Sequence, residues 1–279
     1  MAFLFDFYQK FEYTLIGKEK KEKRFGLFIY SFIFIKKEEN IMAIFVCGDI
    51  HADISHISKK TMKKQNIILT ENDYLIILGD FGGVWYYPES RFYKQDVYLQ
   101  KWLSKQPWTT LFVDGNHENH DLLNQYPIEE WNGGNVHHIV KDKIIHLMRG
   151  QIFNIDGQII FTMGGAQSHD MEVRQEWINW WRAELPSFQE YEIALKNLNK
   201  NNWEVDYVLT HCCGTSNVKE ILQNQYNIAD ENLLEAFFEG LSKNLTYNRW
   251  YCGHYHMNKN ISNNTTVLYH KIIPLGELA

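Results

Sequence analysis

Basic charge is in short supply: 28 lysines and arginines face 34 aspartates and glutamates in 279 residues, a formal net charge of −6. Proteins that grip nucleic acid usually show a basic face, so this balance counts against nucleic acid as the main partner. Cysteine is scarce too, with only Cys47, Cys212, Cys213 and Cys252. None has C-x-x-C or zinc-finger spacing, and all four sit on apolar runs. They read as buried, reduced thiols of a cytoplasmic protein rather than a disulfide framework. Long apolar runs are also missing. The stretch Phe25 to Ile35 spans eleven residues, where a bilayer span needs about twenty, so no membrane partner is expected. A basic segment precedes it, but no small-residue cleavage site comes after it, which counts against a signal peptide. Residues 42–279 hold no internal repeat and no low-complexity tract.

What is present is core material: 45% of the residues are hydrophobic and 15% aromatic, ample for one large domain or two small ones. Residues 1–41 differ in composition from residues 42–279, with a lysine-glutamate run at Lys18 to Arg24 and another at Lys36-Lys37-Glu38-Glu39. Met42 then opens an apolar run at once. The expectation is an N-terminal extension over 1–41 and a functional domain over 42–279.

Within that domain Ile44–Cys47, Leu75–Leu78, Leu111–Val113, Ile159–Phe161 and Tyr207–Leu209 are unbroken apolar runs, as strands covered on both faces would be. Arg249 to Cys252 reads as a sixth strand, and Asn154-Ile155-Asp156-Gly157 as a hairpin turn. Arg91–Lys105 reads as a helix stopped by Pro107. Ser187 and Glu190 form a capping box opening a helix to about Asn199, and Asp230 caps another that carries Leu233, Leu234, Phe237, Phe238 and Leu241. Strands alternating with helices, and polar residues at the strand ends, predict an α/β layered fold with its site at the carboxyl edge.

Those polar residues fall in five stretches: Gly48-Asp49-Ile50-His51, Gly79-Asp80-Phe81-Gly82, Gly115-Asn116-His117-Glu118, Thr210-His211 and Gly253-His254-Tyr255-His256. Each comes directly after an apolar run. Carboxylate and amide oxygens and neutral imidazoles are ligands that divalent metals take. Singly, each residue would be a turn former or a satisfied histidine. Two separate four-ligand sites need more groups than these, but a shared carboxylate would let them hold two metals.

The ordered series resembles the calcineurin-like metallophosphoesterases, whose signature is D-x-H, GD, GNH(D/E), H and GHxH. The resemblance implies two packed mixed β-sheets flanked by α-helices. It implies Asp49, His51 and His256 on one divalent ion, Asn116, His211 and His254 on another, and Asp80 between them. Manganese, iron, zinc or cobalt would serve. It also implies hydrolysis of a phosphomonoester or phosphodiester by in-line attack of a hydroxide shared by the metals, with His117 facing the leaving oxygen. Asp53, Asp114 and Glu118 are candidate partners for His117.

The stretch Gly164-Gly165-Ala166-Gln167-Ser168-His169-Asp170, then Arg174, Trp177, Trp180 and Trp181, resembles one in bacterial and phage members. Arg174 and Asp170 would then meet the substrate, and Trp180 and Trp181 would wall its pocket. The residues alone equally allow core tryptophans and a surface arginine. Gly83-Val84-Trp85-Tyr86-Tyr87 is a second candidate wall. Gly83 and Asp114 stand where the protein phosphatases and purple acid phosphatases of this superfamily carry other residues. The arginines that hold phosphate in the protein phosphatases are missing. The substrate expected is a small phosphorylated molecule; a serine/threonine-type phosphatase, a nuclease and a non-catalytic metal-binding scaffold are the alternatives.

Overall fold

The computed structural model describes residues 42–223 and 231–279. The expected extension over 1–41 and the expected cap Asp230 lie outside the described residues.

Two sheets form the centre. The first contains β1 (Ile44–Cys47), β2 (Tyr74–Leu78), β3 (Thr109–Val113), β4 (Ile128–Trp131), β5 (Gly134–Val140) and β6 (Ile144–Leu147). The second contains β7 (Gln151–Ile155), β8 (Gln158–Met163), β9 (Tyr207–Thr210), β10 (Arg249–Cys252), β11 (Lys259–Ile261) and β12 (Thr265–Val267). The chain then returns to the first sheet as β13 (Ile273–Pro274), giving the orders β13-β1-β2-β3-β6-β5-β4 and β11-β12-β10-β9-β8-β7. Strands β1, β2, β3 and β6 run parallel, as do β8, β9, β10 and β12. Antiparallel strands finish each sheet, so both are mixed.

The period-two alternation of the strands decides the layers. Val46, Ile76, Leu78, Leu111 and Val113 from the first sheet meet Phe153, Ile155, Ile160, Leu209 and Tyr251 from the second. The intervening Phe45, Cys47, Leu75, Ile77 and Phe112 point the other way. They pack on Met62 of α1 (Lys59–Lys64) and on Leu99 and Leu103 of α2 (Lys94–Ser104). A short α3 (His120–Leu123) comes after β3. On the outer face of the second sheet, Phe161, Met163, Val208 and Trp250 receive Tyr191, Ala194 and Leu198 of α4 (Phe188–Lys200). The helix α5 (Thr215–Leu222) comes after β9. Leu234, Phe238 and Leu241 of α6 (Leu233–Asn244) complete that outer layer. Both strand faces are therefore covered, which is why these runs are apolar without a break.

The capping box at Ser187 and Glu190 is present. The cap of α6 is Asn232, whose side chain accepts from the Glu235 N–H at 3.0 Å. Asn232 sits one residue before the helix, where such an acceptor reaches an orphan N–H of the first turn. Among the described residues no helix is long and apolar enough to cross a membrane.

Candidate metal centre

Asp49 and His51 leave β1, Asp80 leaves β2, Asn116 and His117 leave β3, His211 leaves β9, and His254 and His256 leave β10. Hydrogen bonds join these exits across the two sheets. The His254 N–H donates to Asp49 Oδ1 at 2.9 Å, Gly253 N–H donates to His211 O at 2.9 Å, and His211 Nδ1–H donates to Leu78 O at 2.7 Å. Two glycines permit this closeness. A Cβ at Gly79 would land on the His211 ring, and one at Gly253 on Asp49 Oδ1. Gly79 also has φ +91°, outside the range other residues take readily.

The loops themselves are bent in an unusual way. His51, Asp80, His254 and His256 have φ of 44°, 47°, 65° and 49°. Left-handed backbone at non-glycine residues is costly, of order 1–3 kcal/mol each, and gathers at functional sites.

Asp49, His51 and His256 bring donor atoms within 4.8 Å of one another. His256 Nε2 is 3.2 Å from Asp49 Oδ2 and 3.2 Å from His51 Nε2. Asp49 Oδ2 is buried and has no hydrogen-bond partner. A carboxylate oxygen buried in that way is expensive, and a cation shared with two imidazoles would satisfy it. Asp49, Asp80 and His211 form a second such group. The donation from His211 Nδ1 to Leu78 turns Nε2 inward, so that release of the Nε2 proton would leave a lone pair there, the arrangement a metal-binding histidine needs. Nε2 lies 3.3 Å from Asp80 Oδ1 and 3.1 Å from Asn116 Oδ1. The His254 ring centroid is 5.0 Å from that of His211. Asp80 faces both groups, since its Oδ2 is 3.6 Å from His51 Nε2. The donor set, of carboxylate, amide oxygen and imidazole, fits divalent ions of the borderline type.

The protein's own electrostatics favour anionic oxygens here. Burial works against charge on Asp80, but His211 and the neighbouring histidines outweigh it and hold the carboxyl well below its ordinary range. Burial likewise opposes charge on His211, while Asp80 and Asp49 raise it to about 10. Glu118 takes no part in that group. It is buried and accepts from the Phe81 N–H at 2.6 Å and the Gly82 N–H at 3.3 Å, pinning the loop after Asp80.

His117 stands beside these residues, its backbone N–H donating to Asp80 Oδ1 at 2.8 Å. Its ring meets none of the three carboxylates expected as partners. Asp53 binds Ser55, Asp114 binds Arg149 and His146, and Glu118 binds the Phe81 and Gly82 N–H groups. The ring faces Arg174 instead, with Nη1 3.2 Å from Nδ1 and Nη2 3.4 Å from Nε2. Arg174 is held by Asp170 Oδ1 at 2.6 Å and by Asn179 O at 3.0 Å. The structure thus brings Arg174 and Asp170 to the site. It buries Trp181, whose Nε1 donates to Asp121 Oδ2 at 3.1 Å and whose ring meets Trp85 edge-on at 5.4 Å. Trp181 braces the wall from behind and presents little surface to a ligand.

Two buried networks support these loops, and neither is apparent from local sequence. Asn116 Nδ2 donates to Ser168 Oγ, which donates in turn to Glu184. Asp114 accepts from Arg149 Nε at 2.8 Å and lies 3.1 Å from His146 Nε2; His146 Nδ1 is 3.1 Å from His137 Nδ1. Burial opposes charge on Asp114, but Arg149 overrides it and keeps the carboxyl well below its usual range. His120 and His137 are pushed down by burial to about 3 and about 4, so both are neutral. A cavity of about 530 Å³ flanks this second network between Arg149, Arg182, His137 and Ser187.

The family model described as calcineurin-like phosphoesterase matches residues 42–258. Comparison with curated proteins finds no match. Among solved structures, the chain is similar to phosphopantetheinyl hydrolase from Mycobacterium tuberculosis at 12% identity, over 82% of this chain and 88% of that one, with a TM-score of 0.42.

Proposed function

The chain belongs to the calcineurin-like phosphoesterase family, and from that premise we propose that it hydrolyses a small phosphomonoester or phosphodiester with two divalent cations. Its coarse character, a metal-dependent phosphoesterase, comes with the family. The finer reading rests on one observation: Asp80 turns one oxygen toward His211, which also meets Asn116, and the other toward His51, near the unpartnered Oδ2 of Asp49. Asp49, His51 and His256 would hold one cation, Asn116, His211 and His254 the other, with Asp80 shared. Manganese, iron, zinc or cobalt suits these ligands.

When bound, the cations would supply the positive charge that activates water for in-line attack and neutralises the phosphoryl oxygens. The chain's own groups do the rest. Arg174, aligned by Asp170, offers donors to the phosphoryl oxygens opposite the ligands. His117 is kept neutral chiefly by burial, and Arg174 adds to that against the pull of Asp80. A neutral imidazole has one N–H, which can donate a hydrogen bond to the departing oxygen and stabilise the charge it gains. The acidic balance of the chain and the missing arginines of the protein phosphatases favour a small substrate over nucleic acid or phosphoprotein.

The test is a metal-by-substrate panel on the full chain. It would cover aryl monoesters, aryl diesters, dinucleoside polyphosphates, a phosphopeptide and single-stranded DNA. Turnover of a small ester with manganese, iron, zinc or cobalt is the expected result. A protein that binds none of these metals and hydrolyses nothing would be a scaffold.

A further inference from the structure

We propose that Ser168 and Glu184 are positioning residues that fix which end of the Asn116 amide faces the metal centre. The inference rests on Asn116 being a metal ligand, as in the reading above. An asparagine side chain has two ends of opposite polarity and nearly equal shape. Only the oxygen can bind a cation; the NH₂ turned inward would repel one. Something must therefore choose between the two orientations, and Asn116 itself has no preference.

The choice is made by a chain of buried groups in which each proton has one place to go. Asn116, Ser168 and Glu184 are 4%, 2% and 1% exposed, so water cannot reorganise the contacts. Glu184 Oε1 accepts from the Ser168 N–H at 2.9 Å, and Oε2 accepts from the Ser168 hydroxyl at 2.6 Å. A hydroxyl has a single proton, and here the carboxylate takes it. Toward Asn116 the serine oxygen can then only accept. The group it meets at 3.1 Å is the Asn116 NH₂, and the amide oxygen is left to face His211 Nε2 at 3.1 Å. The polarity of Glu184 is thus passed through one hydroxyl to a residue it does not touch.

The frame around the relay is rigid. Glu184 lies in a 3₁₀ turn, Arg182–Glu184, whose Ala183 carbonyl accepts from Arg149 Nη2 at 2.8 Å. The loop that carries Ser168 is tied to the Asn116 loop where the Gly165 N–H donates to Asp114 O at 2.9 Å. Asp114, which also binds Arg149, therefore sets the spacing between the two halves of the relay.

The experiment is Mn²⁺ binding by equilibrium dialysis and calorimetry on the full chain, with S168A, E184Q and the double variant. Partners of this kind usually change metal affinity by about 10–100-fold. In S168A one of two Mn²⁺ equivalents should weaken by about that factor while the other stays unchanged. E184Q should move the same equivalent in the same direction, because a glutamine NH₂ can donate to Oγ and release the hydroxyl proton toward Asn116. The double variant should bind no more weakly than S168A, since Glu184 acts only through the hydroxyl. If S168A does not fold, E184Q alone decides. Two equivalents bound with wild-type affinity in both variants, with only thermal stability lowered, would overturn the relay and leave Ser168 and Glu184 as a loop staple. Wild-type protein that takes up no Mn²⁺ would overturn the metal centre itself, and the relay with it.

Discussion

The imidazole of His117 lies against the guanidinium of Arg174, each ring nitrogen within 3.4 Å of a terminal nitrogen of the arginine. A cation in that position disfavours a second positive charge on the imidazole. On the proposed function, it also sets a guanidinium fork suited to phosphate beside an imidazole able to donate a hydrogen bond. The two residues are 57 positions apart in the chain. Their roles can be separated by experiment.

Arg174→Ala should lower kcat/KM by roughly ten- to a hundredfold, the about 1.5–3 kcal/mol usually lost with a charged hydrogen-bonded contact. Metal content should not change. Asp170→Asn should cost much less, because the Asp170 side chain is 52% exposed and such pairs contribute about 0–1 kcal/mol. Steady-state kinetics on the best small ester checks both. Wild-type kinetics in R174A would return Arg174 to the surface.

His117→Ala should discriminate between leaving groups. An alkoxide needs a proton to depart, whereas p-nitrophenolate hardly does. A hydrogen bond to a developing oxyanion typically contributes about 10²–10³-fold, so the loss on an alkyl phosphate should far exceed that on p-nitrophenyl phosphate. Equal losses on the two substrates would mean that His117 places the phosphoryl group or the water instead.

Asp80→Asn should remove activity and lower bound metal, because the shared carboxylate loses its charge. In the wild type, chelation should lower Tm, and added Mn²⁺ should restore it. A cation at a hundred times its Kd contributes about 2.7 kcal/mol to the folded state. Elemental analysis that finds two equivalents retained in D80N would remove Asp80 from the shared position.

Glu239 gives a stability test away from the site. Its carboxylate accepts from the Ser216 N–H and hydroxyl, both at 2.8 Å, near the amino end of α5, and pairs with Lys243 at 2.8 Å. Burial opposes its ionisation, but these partners outweigh it and hold the group at about 2, below its ordinary 4.5. A folded-state pKa below the unfolded value gives stabilisation that is complete above about 4.5 and lost as pH falls toward 2. Glu239→Gln should therefore lower stability by about 1 kcal/mol at pH 7, a value already reduced for partial exposure. Its gap to wild type in urea unfolding should narrow between pH 4.5 and pH 2. A gap that does not change with pH would mean the carboxylate charge contributes nothing.

The central strands and the polar residues gathered at their exits were legible because both are written locally. A strand buried on two faces is apolar throughout, and the polar residues just beyond it mark its exit. The excursion through β4, β5 and β6 was not legible. Ile128–Trp131 alternates exposed and half-buried positions and carries Glu129 and Glu130, which no apolar-run criterion selects. The strand β11, Lys-Asn-Ile, is short and polar for the same reason. The cap of α6 was displaced by two residues because Asp230 and Asn232 are chemically equivalent caps, and only geometry selects Asn232. At the site, the roles of Ser168 and Glu184 depend on contacts 52 and 16 residues apart, which leave no periodic trace. Arg149 and His146 carry no local mark of their role, which is set by Asp114 between them. Trp181 is buried against Trp85 and Asp121, contacts that its sequence neighbours do not announce.

The connection between β8 and α4 is a single stretch of chain, residues 164–187, and it carries two kinds of cargo. Asp170 and Arg174 pair with each other beside His117, while Ser168 and Glu184 look inward to Asn116. For anyone retailoring the enzyme, this makes the segment a cassette with a fixed frame. On the proposed function, an exchange confined to 169–183 should alter substrate choice and leave the candidate metal ligands in place. A transplant of the whole connection would import another protein's specificity and discard the support beneath Asn116.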